Sequence, residues 1–232
     1  MFQKTLEFLE GEYILALYAL AFLLSIYRYR KYYETLLKYF PILIFYTLLT
    51  ELLGKFIGEF EEIQIVYLDQ FENYNSLIYN LFEIIFFLYF YYVFWNELNN
   101  TRNKKFIKYG SIFYIIISII NPFFQDAILY PQIYALTFGS ILLVITTLLY
   151  FKELDSKSTG IPHYSNLLFW ISVGLMLFHV FYPIIMVIGF YYSQAYLDLH
   201  LRTLLHILIC IMYLCFIVGF IFMWHNRSKE DI

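Results

Sequence analysis

A few side chains able to do acid, base or ligand chemistry stand inside otherwise apolar sequence: Glu51 and Lys55, Asn80 and Glu83, His179, and Arg202 with His206. Around the first of them, Thr47, Glu51, Lys55 and Glu59 fall at i, i+4, i+8 and i+12, which makes one polar stripe if the segment is helical. A carboxylate near the centre of a bilayer costs about 2.5–3.5 kcal/mol on insertion scales, so Glu51 should face other helices or water rather than lipid. Two uses fit such a residue. Glu51 and Lys55 form an internal ion pair at i, i+4 that lets the helix insert, or Glu51 handles a ligand or a proton.

The elements that position these residues follow from composition. The chain has 232 residues, 62% hydrophobic and 23% aromatic, with only 14% charged, which lies outside the range of a soluble domain and reads as an integral membrane protein. Runs of about 20 apolar residues predict an all-α bundle of seven membrane-spanning helices in a single domain. The spans fall near 13–29, 40–60, 75–96, 106–125, 131–151, 165–191 and 201–224. The sixth run is long enough to tilt, or to kink at Pro183. Acidic Glu7, Glu10 and Glu12 precede the first run and Arg28, Arg30 and Lys31 follow it, the opposite of a cleaved signal peptide. It reads as a retained helix.

Charge placement sets the orientation. Arg28, Arg30, Lys31 and Lys38 follow helix 1; Arg102, Lys104, Lys105 and Lys108 follow helix 3; Lys152 and Lys157 follow helix 5; Arg227 and Lys229 lie in the tail. The other side carries Lys4 and Arg202 against Glu61, Glu62, Asp69, Glu72, Asp126 and Asp198. The positive-inside rule therefore places the N-terminus outside and the C-terminus in the cytoplasm, in a multi-pass protein of the plasma (inner) membrane. The sequons at Asn99 and Asn226 then fall on the cytoplasmic side and are chance matches. Tyr27, Tyr29, Tyr32, Tyr33, Trp95 and Trp224 cluster at cytoplasmic helix ends, where amphipathic rings anchor. The outer loop, roughly 61–74, mixes acids with Ile63, Ile65, Tyr67 and Phe71 and is expected to lie over the bundle mouth.

With direction fixed, a rise of about 1.5 Å per residue puts Glu51, Lys55, Glu83, His179, Arg202 and His206 at or above the midplane on the outer side. Helix 4 adds a polar stripe of Ser111, Tyr114, Ser118, Asn121 and Gln125. If these stripes converge, they make a polar chamber open to the outside above a dry floor. For each residue taken singly, a structural hydrogen bond between helices is the favoured reading, and it is their shared depth that points to a site. Gly54 and Gly58, and Ala135 with Gly139, have the small-x-x-x-small spacing that permits close helix contact. Cys210 and Cys215, at i, i+5 in the last span, read as packing residues rather than a metal knuckle or disulfide.

Several functions are excluded or weakened. The last span contains no lysine, so a retinal Schiff base has no site. Seven-helix membrane hydrolases need zinc-binding histidines at i, i+4 in the last helix, whereas His200 and His206 are six apart. Nucleophile, phosphate-loop and His-Glu-x-x-His motifs are absent, and no nucleic-acid partner is expected. In its span pattern, in Thr-Glu-Leu-Leu-Gly at 50–54, in Tyr-Asn-Leu-Phe-Glu at 79–83 and in Phe169-Trp170, the chain resembles small bacterial seven-helix membrane proteins similar to the input modules of sensor kinases. That resemblance implies a sensor. With only eight residues after Trp224, a sensor of this length is expected to signal through a membrane or cytoplasmic partner. The leading expectation is thus a receptor or sensor that takes a small ligand or ion from the outer side at Glu51, Lys55, Asn80, Glu83, His179, Arg202 and His206. The alternatives are an intramembrane hydrolase with a metal at Glu83, His179 and His206, and a proton-coupled carrier titrating at Glu51. The sequence names no cofactor.

Overall fold

The computed structural model describes residues 2–59, 74–156 and 163–223, and among these the regular structure is helical throughout. The helices are α1 (Phe2–Tyr27), α2 (Phe40–Glu59), α3 (Ser76–Glu97), α4 (Thr101–Ile120), α5 (Ile133–Ser156), α6 (Leu167–Tyr191), α7 (Ser193–Asp198) and α8 (Leu201–Phe222). Six of them, α2 to α6 and α8, are long and apolar enough to cross a membrane, and α1 contributes a shorter apolar stretch, Tyr13–Tyr27. The chain is a multi-pass membrane protein by these helices. The loop expected over the mouth falls at 60–73, and Lys157, Trp224 and the basic tail fall at 157–162 and 224–232; all lie outside the described residues.

Helices α1, α2, α3, α5, α6 and α8 contact one another in that order and close into a ring, α8 returning to α1. α4 packs on α3 and α5 from outside the ring, and its most apolar window is only 22% buried, the least of the six long helices. Its serines do not face a chamber. Ser111 and Ser118 donate to the carbonyls of Ile107 and Tyr114 one turn back, the local bond by which a helix satisfies a hydroxyl in apolar surroundings.

Several boundaries differ from expectation, each for a local reason. α4 begins at Thr101, not 106, because the Asn100 side chain caps it, accepting from the N–H groups of Arg102 at 2.8 Å and Asn103 at 3.4 Å. Glu153 on α5 reinforces that start by accepting from Asn99 N–H at 2.8 Å and Asn103 Nδ2 at 2.8 Å. The basic residues after α3 are therefore the first turns of a helix. α4 stops at Ile120 because Pro122 follows Asn121 and the chain tightens into a single 3-10 turn. The short helix α7 was not foreseen; it is separated from α8 by His200, whose φ of 50° gives the left-handed turn between them.

At the end of the ring that carries Arg28, Lys31 and Lys104, the interior is filled by rings. Phe40 lies 5.4 Å from Phe216, 6.0 Å from Phe220 and 6.2 Å from Phe90. Packed rings close this end of the bundle. Tyr27, Tyr33 and Trp95 are exposed there as interface anchors should be, but Tyr32 is not. It folds inward and donates to the Ser25 carbonyl at 2.7 Å, and burial pushes its hydroxyl above the usual phenol range.

The closest helix pair, α6 and α8, uses isolated glycines rather than a spaced motif. A Cβ on Gly174 would stand 2.9 Å from the Met212 carbonyl, and one on Gly219 would stand 2.9 Å from Leu167 and Trp170 side chains. Of the two spaced pairs noted in the sequence, Gly139 accepts Phe87 and Tyr114 rings against its backbone, and Gly54 accepts Tyr79. Gly58 has nothing within 4 Å.

Candidate functional site

The convergent polar group is a cluster of carboxyls and tyrosines in the middle of the ring. On α2, Thr47 and Glu51 share a face one turn apart; on α3, Tyr79 and Glu83 do the same. The Tyr79 hydroxyl donates across to Glu51 Oε2 at 3.2 Å, and Tyr18 on α1 stands beside the same carboxyl. Tyr18 packs on Tyr213 of α8 with ring centroids 4.4 Å apart, and Tyr213 stands beside Thr47, whose hydroxyl donates to the Leu43 carbonyl at 3.0 Å. Glu83, one turn along α3 from Tyr79, accepts from the Tyr182 hydroxyl of α6 at 2.7 Å. Five of the six ring helices thus bring polar atoms to one region. Glu51 and Glu83 are each half-buried, and among the described residues tyrosine hydroxyls donate to both.

Gly54 sets this geometry. The missing side chain leaves room for the Tyr79 ring against α2, and the Asn75 side chain locks the approach by donating to the Gly54 carbonyl at 3.0 Å. The close helix contact expected from the glycine spacing is therefore in service of a side chain, Tyr79, as much as of the backbones.

His179 is brought near but walled off. Its ring is buried and its Nδ1 lies 3.1 Å from Ser140 Oγ. Phe86, Phe87 and Phe178 surround it at centroid distances of 5.5, 5.2 and 5.1 Å, and Tyr182 at 6.0 Å turns its hydroxyl to Glu83 instead. Packed aromatic side chains thus stand between Glu83 and His179, so the two do not share one open chamber.

Asn80 is committed elsewhere. It is buried, and its Nδ2 donates to the carbonyls of Ala127 at 2.8 Å and Tyr130 at 3.0 Å while its Oδ1 accepts from Gln132 N–H at 3.1 Å. Gln125 accepts from Ile133 N–H at 2.9 Å and Asn121 from Ala135 N–H at 2.9 Å, which completes the attachment of the α4–α5 loop and caps α5. The Asn121–Gln125 end of the α4 stripe is a loop clamp. Lys55 follows Glu51 by one turn and is half-buried, His206 is half-buried one turn before Cys210, and Arg202 is exposed at the start of α8 near Tyr196. Among the described residues, no three His, Cys, Asp or Glu side chains converge on a metal-sized site.

Sequence reasoning found both acids and missed Tyr18, Tyr79 and Tyr182. The chain has 25 tyrosines, so the residue type alone carried no signal. Position did: an interfacial anchor belongs at a span end, whereas Tyr18 and Tyr182 lie well inside theirs. Compared with protein-family models, curated proteins and solved structures, the chain finds no match.

Proposed function

We propose that the chain is a seven-span receptor- or sensor-like protein of the plasma (inner) membrane. Its N-terminus lies outside and its C-terminus in the cytoplasm. It takes a small cation or protonated amine from the outer side at Glu51 and Glu83, and it signals through a separate membrane or cytoplasmic partner. The observation that carries the reading is the pair of carboxyls on adjacent helices whose donors are tyrosine hydroxyls. Uncharged donors hold a carboxyl in place without neutralising it, so a cation is the complementary ligand. The orientation rests on twelve of the fifteen Lys and Arg residues falling around the junctions that follow the first, third and fifth spans and in the tail. Lys55, Arg202 and His206 stand nearer the helix ends that lie outside in the proposed orientation, flanking the way in. Because α1, α2, α3, α6 and α8 all contribute to the cluster, a ligand there bears on five helices at once. That is how occupancy becomes a change of bundle shape which a partner reads.

One second reading has an observation in its favour. The same hydroxyl-to-carboxyl contacts suit a proton-coupled carrier with Glu51 as the titrating group.

Thermal unfolding of the purified protein in lipid nanodiscs, across alkali and small alkylammonium chlorides, tests the proposal. A ligand at a hundredfold its Kd adds about 2.7 kcal/mol to stability, enough to raise Tm by several degrees. Such a rise is expected for at least one cation with the natural chain and not with the Glu51→Gln, Glu83→Gln double variant. Equal behaviour of the two proteins would overturn it.

A further inference from the structure

α4, the helix outside the ring, has an outward face that the described residues leave uncovered: Phe106, Tyr109, Ile112 and Phe113 are 43, 66, 46 and 52% exposed along it. Its membrane span begins at Thr101, so the basic residues of its first turns stand where hydrocarbon gives way to lipid head groups. The other end of the same helix has none, since the sequence holds no Lys or Arg between Tyr109 and Asp126.

These cations divide by side. Lys104 is half-buried and turns back to α3, where its ammonium lies 5.5 Å from the centroid of the Trp95 ring. Arg102, Lys105 and Lys108 are exposed. At 3.6 residues per turn these three fall within an arc of about 120°, with about 5–6 Å between neighbouring Cβ atoms, so two of them can meet one phosphate. Helical side chains lean toward the N-terminus, which carries the charged heads out of the hydrocarbon while their stems stay along it. Glu153, the α5 carboxylate that reaches this helix start, is engaged with Asn99 N–H and Asn103 Nδ2, both at 2.8 Å. The backbone N–H groups of Arg102 and Asn103 are taken by Asn100 Oδ1, so the side chains, not the helix terminus, are what an anion would meet. Tyr109 and Phe113 follow Lys105 at successive intervals of four, and they continue its face into the apolar part of the span.

We propose that the outward face of α4 holds an anionic phospholipid, its phosphate among Arg102, Lys105 and Lys108 and its acyl chains along Tyr109, Ile112 and Phe113. The Arg102 guanidinium suits two phosphate oxygens at once, and the lysines add compact positive charge beside it. A zwitterionic lipid brings an ammonium of its own, which three cations repel, so net negative charge is what the face selects. In the orientation proposed above, the lipid belongs to the cytoplasmic leaflet, whose surface is negative. The site is independent of the carboxyl cluster, because α4 contributes nothing to that cluster and stands outside the ring that encloses it.

The test is native mass spectrometry of the full chain, titrated in detergent with dioleoylphosphatidylglycerol and, separately, with dioleoylphosphatidylcholine. The anionic lipid should bind on the order of tenfold more tightly than the zwitterionic one, and about fivefold more weakly for each of Arg102→Gln, Lys105→Gln and Lys108→Gln, the factor expected for one basic residue near an anionic surface. Lys105→Arg should bind as the natural chain does. A matched variant with Arg28→Gln, Arg30→Gln and Lys31→Gln removes as much charge from the same end of the bundle and should keep the lipid. The exposed α4 side chains should leave the thermal melt in detergent alone unchanged, which separates loss of the site from loss of the fold. Equal binding of the two lipids, undiminished phosphatidylglycerol binding when all three α4 cations are replaced, or an equal loss in the matched variant would each overturn the proposal. So would displacement of the lipid by inorganic phosphate beyond that by sodium chloride at the same ionic strength, which would assign the cations to a free anion. The Glu51→Gln, Glu83→Gln double variant should bind the lipid as the natural chain does, so this outcome is read separately from the cation response.

Discussion

Replacing Gly54 with valine should destabilise the protein by about 1–3 kcal/mol, the usual cost of forcing carbon into a filled site, and should detach Tyr79 from Glu51. A Cβ at this position would overlap the Tyr79 hydroxyl and stand 2.8 Å from its Cζ, so either the ring swings away or α2 and α3 separate. Both movements break the 3.2 Å contact to Glu51, and separation of the helices also breaks the Asn75 bond to the Gly54 carbonyl. Gly54→Ala should show the same effect at smaller size. Gly58→Ala is the internal control, since nothing lies within 4 Å of the added carbon and alanine favours a helix by about 0.8–1.0 kcal/mol over glycine. Thermal melts of the three variants in one detergent check this. If Gly54→Val melts with the natural chain, Tyr79 is not held against α2 as described.

The second large effect is expected at Asn80. Leucine in its place leaves the carbonyls of Ala127 and Tyr130 and the N–H of Gln132 without their partners. Each buried group so orphaned costs about 1–3 kcal/mol, less whatever water recovers at the loop. A total loss of about 3 kcal/mol or more is therefore expected, concentrated in the α4–α5 loop. Hydrogen exchange should show the amides of residues 127–135 losing protection while those of α8 keep theirs. Asn80→Asp keeps the acceptor for Gln132 N–H but loses both donors, and should fall between. Unchanged protection of that loop in Asn80→Leu would mean that the side chain does not clamp it.

These two positions show how far the sequence could be read. The spans were legible because hydropathy over about 20 residues is a property of the segment itself. So was the abundance of rings where α2, α3 and α8 meet, since Phe40, Phe90, Phe216 and Phe220 stand in those spans. Glu51 and Glu83 stood out because acids are rare and costly in such segments. What could not be read was partnership. Asn80 lies one turn from Glu83 and looks like a member of the same site, but it faces the α4–α5 loop, a fact fixed by where residues 121–133 fold rather than by its own helix. His179 has the depth expected of a ligand residue, but Phe86 and Phe87 of α3 enclose it, and a phenylalanine pair in a span gives no hint of which neighbour it will cover. The tyrosines that complete the cluster were hidden by their own abundance. The start of α4 was misplaced because hydropathy sees Arg102 to Lys108 as loop, whereas the Asn100 cap and the Glu153 carboxyl begin a helix there regardless of charge.

The most direct measurement uses a cysteine that is already in place. Cys210 is half-buried on α8 one turn from Tyr213, whose ring packs on Tyr18. In a Cys215→Ala background, intact cells are treated from outside with a cationic ethylammonium thiosulfonate and with its anionic ethylsulfonate counterpart, and the rates of Cys210 modification are compared. If the carboxyl cluster is reached from the outer face, the cationic reagent should be favoured by on the order of tenfold, in line with electrostatic focusing near like-signed groups. Glu51→Gln with Glu83→Gln should erase the preference. Protection of Cys210 from both reagents, or equal rates for the two, would contradict an outward-facing cation site at the tyrosine–carboxyl cluster.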